Sequence, residues 1–126
     1  MMKKILLYLQ SVFYIAAGIN HFRKPGIYDT LIPPYLPAHQ TINFIAGVAE
    51  IILGFCLLFL FTRKWASYGI VLMLLAFIPA HIYHILMKGC LPGLCFSPWI
   101  AWVRLLVIHP LLIAWAWWYH TDKVAG

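Results

Sequence analysis

Four long apolar runs fill most of this 126-residue chain, and two of them carry a charge, Glu50 in the second and Arg104 in the fourth. In lipid every backbone polar group must be satisfied internally, so such runs fold as spanning helices. A span takes about 20 mainly apolar residues. The pattern places helices at about residues 3–21, 41–62, 65–87 and 98–120. Hydrophobic residues make up 64% of the chain and charged ones 10%, with a mean hydropathy of +0.89, outside the range of ordinary soluble domains. The expected fold is all-α: an integral membrane four-helix bundle occupying residues 1–126 as a single membrane domain.

Lys3 and Lys4 precede the first apolar run, as in a secretory leader. Asn20, His21 and Phe22 follow it directly, and the first span is read as retained. The formal charge of +6 is spread over helix ends. No basic stretch is long enough to track phosphates, so nucleic acid is not an expected partner. Lys3, Lys4, Arg63, Lys64 and Lys123 fall on one side, and Arg23, Lys24 and Lys88 on the other. The side richer in basic residues is normally cytoplasmic. Both termini are therefore expected in the cytoplasm of a cell whose inner (cytoplasmic) membrane holds this multi-pass chain.

The connections differ in character. Residues 23–39 form a proline-rich outer loop, expected to be extended or turned, whose apolar residues suit a cap over the bundle mouth. A tight turn is expected near Thr62–Lys64, making the second and third helices antiparallel neighbours. The third connection, residues 88–97, holds Cys90 and Cys95 flanking Leu-Pro-Gly-Leu. On the oxidising side of a membrane these two can bridge. The bridge would either pin the loop or act as a redox pair feeding electrons to a membrane quinone.

Polar groups on all four helices converge on the outer half, while the inner half reads as apolar. At a rise of about 1.5 Å per residue, Glu50 lies roughly 15 Å down its helix, near the midplane. Asn43, Gly47, Glu50 and Gly54 share one stripe, so Glu50 should face the bundle rather than lipid. Arg104 is its expected partner, either as a register-fixing ion pair or as part of a functional site. His81 and His84 are three apart and can share a face, and Pro79 just before them frees a backbone carbonyl. With Glu50 they make a candidate metal set, or a proton relay. His109 is five residues from Arg104, about 140° around an α-helix, so the two can meet only if the helix is distorted. Pro110 is a local source of distortion.

Several segments resemble the DoxX family of small membrane proteins: Ala17-Gly18-Ile19-Asn20-His21-Phe22, Ile32-Pro33-Pro34-Tyr35-Leu36-Pro37, Gly47-Val48-Ala49-Glu50-Ile51-Ile52-Leu53-Gly54, Pro79-Ala80-His81-Ile82-Tyr83 and Trp102-Val103-Arg104-Leu105-Leu106. The resemblance implies a four-helix membrane bundle and an association with thiol and quinone redox chemistry, the family name deriving from a subunit of a thiosulfate:quinone oxidoreductase. Asn20, His21, Glu50 and Arg104 fall on its motifs. His81 and His109 stand where asparagine and glutamine are expected, and Cys90 and Cys95 lie outside the pattern.

Two functions of different class follow. One is a quinone-linked oxidoreductase or oxidoreductase subunit. Its catalytic residues would be Glu50, Arg104 and His81, its cofactor-binding residues Asn20, His21 and His84. Quinone is the first expected cofactor, with haem or a transition metal as alternatives. The other is a non-catalytic membrane module that binds lipid, a metal ion or a partner subunit through the same pocket. Expected partners are the lipid bilayer, a redox protein or small lipophilic molecule, and a second copy of the chain.

Overall fold

A computed structural model describes residues 1–91 and 94–122; Pro92, Gly93 and Lys123, which enter the loop and charge readings above, lie outside them. Four helical stretches are long and apolar enough to cross a membrane: Met2–Arg23, His39–Leu58, Leu60–Leu86 and Pro98–Trp117. The first is α1 (Met2–Arg23) and the second α3 (His39–Leu58). The third consists of α4 (Leu60–Ala76) and α5 (Ile78–Leu86), separated at Phe77. The fourth runs through α6 (Pro98–Val103), a π-helical turn (Arg104–Ile108) and α7 (His109–Trp117). Large apolar side chains such as Phe44, Phe61, Leu72, Trp99 and Leu111 point outward, as lipid-facing surface requires.

The outer loop departs from the extended expectation. Residues Pro25–Leu31 form a short helix, α2. Proline fits there because the first helical residue has no intrahelical use for its N–H. Only the remainder of the loop, with Pro33, Pro34 and Pro37, is non-helical, and His39 Nε2 lies 3.1 Å from the Pro33 carbonyl. The second connection also differs. The chain turns at Phe59, not at Thr62–Lys64. Thr62 and Arg63 instead reach back from the first turn of α4: Thr62 Oγ1 donates to the Cys56 carbonyl (2.7 Å) and Arg63 Nε to the Leu57 carbonyl (2.8 Å). They satisfy carbonyls that the end of α3 leaves without a helical partner.

α1 and α3 pack most intimately. A Cβ on Gly18 would stand 2.6 Å from the Gly47 carbonyl oxygen and 2.6 Å from Ile51 Cγ1, so the backbones touch where side chains would hold them apart. Beneath this contact Leu7, Leu57, Ile70, Leu74, Ala116 and Tyr119 form a closed apolar core. Ser67 Oγ donates to the Ala116 carbonyl and ties α4 to α7. At one end of the bundle Asp122 accepts from Lys3 Nζ (2.7 Å) and Arg63 Nη1 (3.2 Å). The first and last spans and the α3–α4 turn therefore meet at one end. A two-stranded hairpin, β1 (Cys90–Leu91) and β2 (Leu94–Cys95), closes the third connection, with Cys90 paired to Cys95 and joined to it by a disulfide.

Candidate functional site

At the opposite end the helices diverge around a cavity of about 630 Å³, lined by all four spans, α2 and the hairpin. Its wall is mostly apolar: Phe13, Leu31, Ile42, Phe77, Ile100 and Leu112 are representative. Into it face His21, Asn43, Glu50, His81, Arg104 and His109, together with Tyr14 and Tyr28. Size and lining are those of a small-molecule site, apolar with a few placed polar groups.

One wall is built on the close α1–α3 contact. His21 Nδ1 lies 2.6 Å from Asn43 Oδ1, and Asn43 Nδ2 donates to the His21 carbonyl at 3.0 Å. Since the asparagine amide nitrogen is committed as donor, its oxygen accepts, and Nδ1 carries a proton. Nε2 faces Glu50 Oε2 at 3.3 Å, within ion-pair range but without the alignment of a hydrogen bond. Nε2 and Oε2 therefore form a close imidazole–carboxylate pair across the α1–α3 seam. Tyr28 stacks on the His21 ring (centroids 3.8 Å apart, planes 24°), and Asn20 Nδ2 donates to the Tyr28 hydroxyl at 2.7 Å. Asn20 thus stands behind the wall, positioning Tyr28, and does not line the cavity as a binding residue would.

The facing wall carries Arg104, and here the expected pairing is corrected. Arg104 does not pair with Glu50. Its Nη1 donates to His84 Nδ1 at 2.8 Å, while His84 Nε2 contacts the carbonyls of Gly89 (2.8 Å) and Leu94 (3.3 Å). Arginine has no acceptor, so His84 Nδ1 is the unprotonated nitrogen and Nε2–H donates. Glu50 is already matched by His21 across the α1–α3 seam, and sequence spacing along one helix cannot reveal a partner on another.

His81 and His84 do not act together. His84 is buried behind Arg104, whereas His81 faces the cavity and meets His109 edge-on, centroids 4.6 Å apart. The required distortion is present. The π-helical turn begins at Arg104, and the His109 N–H bonds back five residues to the Arg104 carbonyl. Pro110 cannot donate to the carbonyl four residues back, which favours this irregular stretch. The extra residue in the turn brings Arg104 and His109 onto one wall. His109 Nε2 in turn donates to the Leu74 carbonyl, at the α4–α5 break beside Pro79.

Metal chemistry fits poorly. Among the described residues no three His, Cys, Asp or Glu side chains are grouped to hold an ion, so the candidate set His81, His84 and Glu50 is not assembled. A haem would find both ring nitrogens of His21 and His84 engaged, leaving His81 and the Nδ1 of His109 among the described cavity-lining imidazoles.

Polar side chains also lie buried near the middle of α1. Gln10, Ser11 and Tyr14 are buried on the face of α1 toward the core; the Gln10 amide lies by the Tyr14 hydroxyl without a well-formed hydrogen bond, and Ser11 Oγ has no partner among the described residues. Composition averaging over an apolar helix hides them. An unpartnered buried polar group costs about 1–3 kcal/mol. Gln10→Met is therefore expected to stabilise the protein by about 1 kcal/mol, read as a higher unfolding midpoint in detergent. A fall instead would mean that internal water satisfies the amide.

Tyr28 and Asn43 are the site residues that single-helix patterns do not single out. Asn43 shares the Glu50 stripe, which is the one available signal; Tyr28 sits in an apolar loop with none. No curated protein and no solved structure matches the chain. One family model does match, over residues 10–120, and is described as Domain of unknown function (DUF8561). With nearly the whole chain inside that match, from the middle of α1 to just beyond α7, the protein belongs to the family of that domain.

Proposed function

We propose that the cavity binds the headgroup of a quinone or a similar small amphipathic molecule, and that the protein is a DoxX-like membrane protein of redox association. One observation carries this reading. A mainly apolar cavity of about 630 Å³ has the His21–Glu50 pair on one wall and the Arg104 guanidinium on another. Arg104, with Nη1 on His84, retains other N–H groups to donate to a ligand oxygen. The His21–Glu50 pair would exchange a proton with a quinone oxygen. His81 borders that space as a second proton-exchanging group. A bound quinone would supply the two-electron chemistry; the protein would orient it, exclude water and move protons. In this reading the termini face the cytoplasm and the cavity end faces outward across the inner membrane, which fits the excess of basic residues near Lys3 and Arg63.

The test is extraction of protein purified in mild detergent, with mass spectrometry of what it carries, followed by binding of a short-chain ubiquinone. Co-purified quinone, or saturable binding lost in Arg104→Gln, is the expected result. Phospholipid alone, with no saturable quinone binding, would sink the reading in favour of a non-catalytic lipid-binding module.

A further inference from the structure

The hairpin behind Arg104 is more than a connection. Cys90 and Cys95 are both exposed, whereas the residues they hold in place form the cavity wall: Leu94 and Phe96 line the cavity itself. Gly89, at φ +79°, turns its carbonyl toward the bundle; there it accepts from Phe96 N–H (2.9 Å) and His84 Nε2–H (2.8 Å). A Cβ on this residue would meet the Phe96 carbonyl oxygen at 2.9 Å. The second carbonyl on His84 Nε2 belongs to Leu94, on the other strand. The residue that leads into β1 and the first residue of β2 therefore hold one imidazole, on either side of the disulfide, and that imidazole holds Arg104.

We infer that the Cys90–Cys95 bond is a thiol-reactive redox site whose state is transmitted through His84 to Arg104, so that reduction weakens ligand binding in the cavity. The inference rests on the quinone-binding reading for its ligand, though not for the relay itself. The reductant is a dithiol on the hairpin side of the membrane. Its thiolate attacks one exposed sulfur, forming a mixed disulfide and releasing the other cysteine as thiolate. The second thiol of the reductant then closes its own disulfide and frees the first cysteine. Two electrons and two protons pass to the protein, giving two cysteine thiols, and the dithiol leaves oxidised.

Opening the bridge removes the covalent link between Cys90, next to Gly89, and Cys95, next to Leu94. His84 then loses its fixed pair of acceptors, and Arg104 loses the imidazole that sets its position. A released guanidinium can swing to Glu50, the one carboxylate among the cavity-lining residues. That pairing would occupy both polar walls at once.

The experiment uses the full chain in nanodiscs, oxidised or treated with a hydrophilic phosphine, with two readouts. Nitrogen-15 NMR of labelled histidine follows the His84 ring, assigned by its loss in His84→Gln. Equilibrium binding of a short-chain ubiquinone follows the cavity. Reduction is expected to shift both His84 ring nitrogens and to weaken binding about tenfold, the effect of losing one well-placed hydrogen bond from a charged group. Cys90→Ser with Cys95→Ser should bind as the reduced protein does and ignore the phosphine. An unchanged His84 spectrum after complete reduction would overturn the relay, as would reduced protein that binds as tightly as oxidised. If no ubiquinone binds in either state, the functional reading fails, and the His84 spectrum alone still decides the relay.

Discussion

Gly18→Leu is expected to abolish the native bundle. At this position a single Cβ already stands 2.6 Å from the Gly47 carbonyl oxygen and 2.6 Å from Ile51 Cγ1. The first of these neighbours is backbone on the facing helix and cannot yield by changing rotamer. Room for leucine exists only if α1 and α3 separate, which would expose their closest packing and draw His21 away from Asn43 and Glu50. Gly18→Ala is the graded version, with an expected loss of about 1–3 kcal/mol from overpacking. Unfolding by a denaturing detergent, read by circular dichroism and size exclusion, measures both. A leucine variant with the wild-type midpoint would show that the two helices do not approach as described.

The second large effect separates the two polar walls. Arg104→Gln removes the positive charge and shortens the reach to His84, and it should weaken binding of a short-chain ubiquinone about 10- to 100-fold. That is the range given by losing about 1.5–3 kcal/mol of charge-assisted hydrogen bonding. Glu50→Gln keeps the volume of the side chain but cannot share a proton with His21. Its expected signature is different: affinity within a few-fold of wild type, with any quinone reduction slowed by about 100-fold or more, the contribution of a positioned proton donor. Equilibrium binding and single-turnover reduction, measured on the same preparations, read the two quantities separately. Equal losses of affinity in both variants would mean that the walls act as one electrostatic unit, and that the division of roles is wrong.

Both predictions rest on contacts between helices, and this is where the sequence ceases to be sufficient. Four spans, the break before Pro79 and the inward face of Glu50 follow from residue order, because apolar length and helical period are local properties of the chain. The stripe Asn43–Gly47–Glu50–Gly54 already marked the face that meets α1. Pro25 was equally visible, but its meaning was not. A proline excludes a helix interior yet suits a helix start, and only the neighbouring residues chose the latter at α2.

Pairing across helices was decided by tertiary structure. Glu50 and Arg104 are the two conspicuous charges of the spans, and Coulomb attraction alone would join them. The close Gly18–Gly47 approach instead brings His21 to Glu50, and the disulfide hairpin brings His84 to Arg104. The five-residue step from Arg104 to His109 forbids a shared wall in a regular α-helix and permits one in the π-helical turn. The residues alone determined which chemical groups fall within the four apolar spans and how far along each. The packing of backbones determined which of them meet, because rotation about each helix axis is set by contacts with its neighbours and not by its own sequence period.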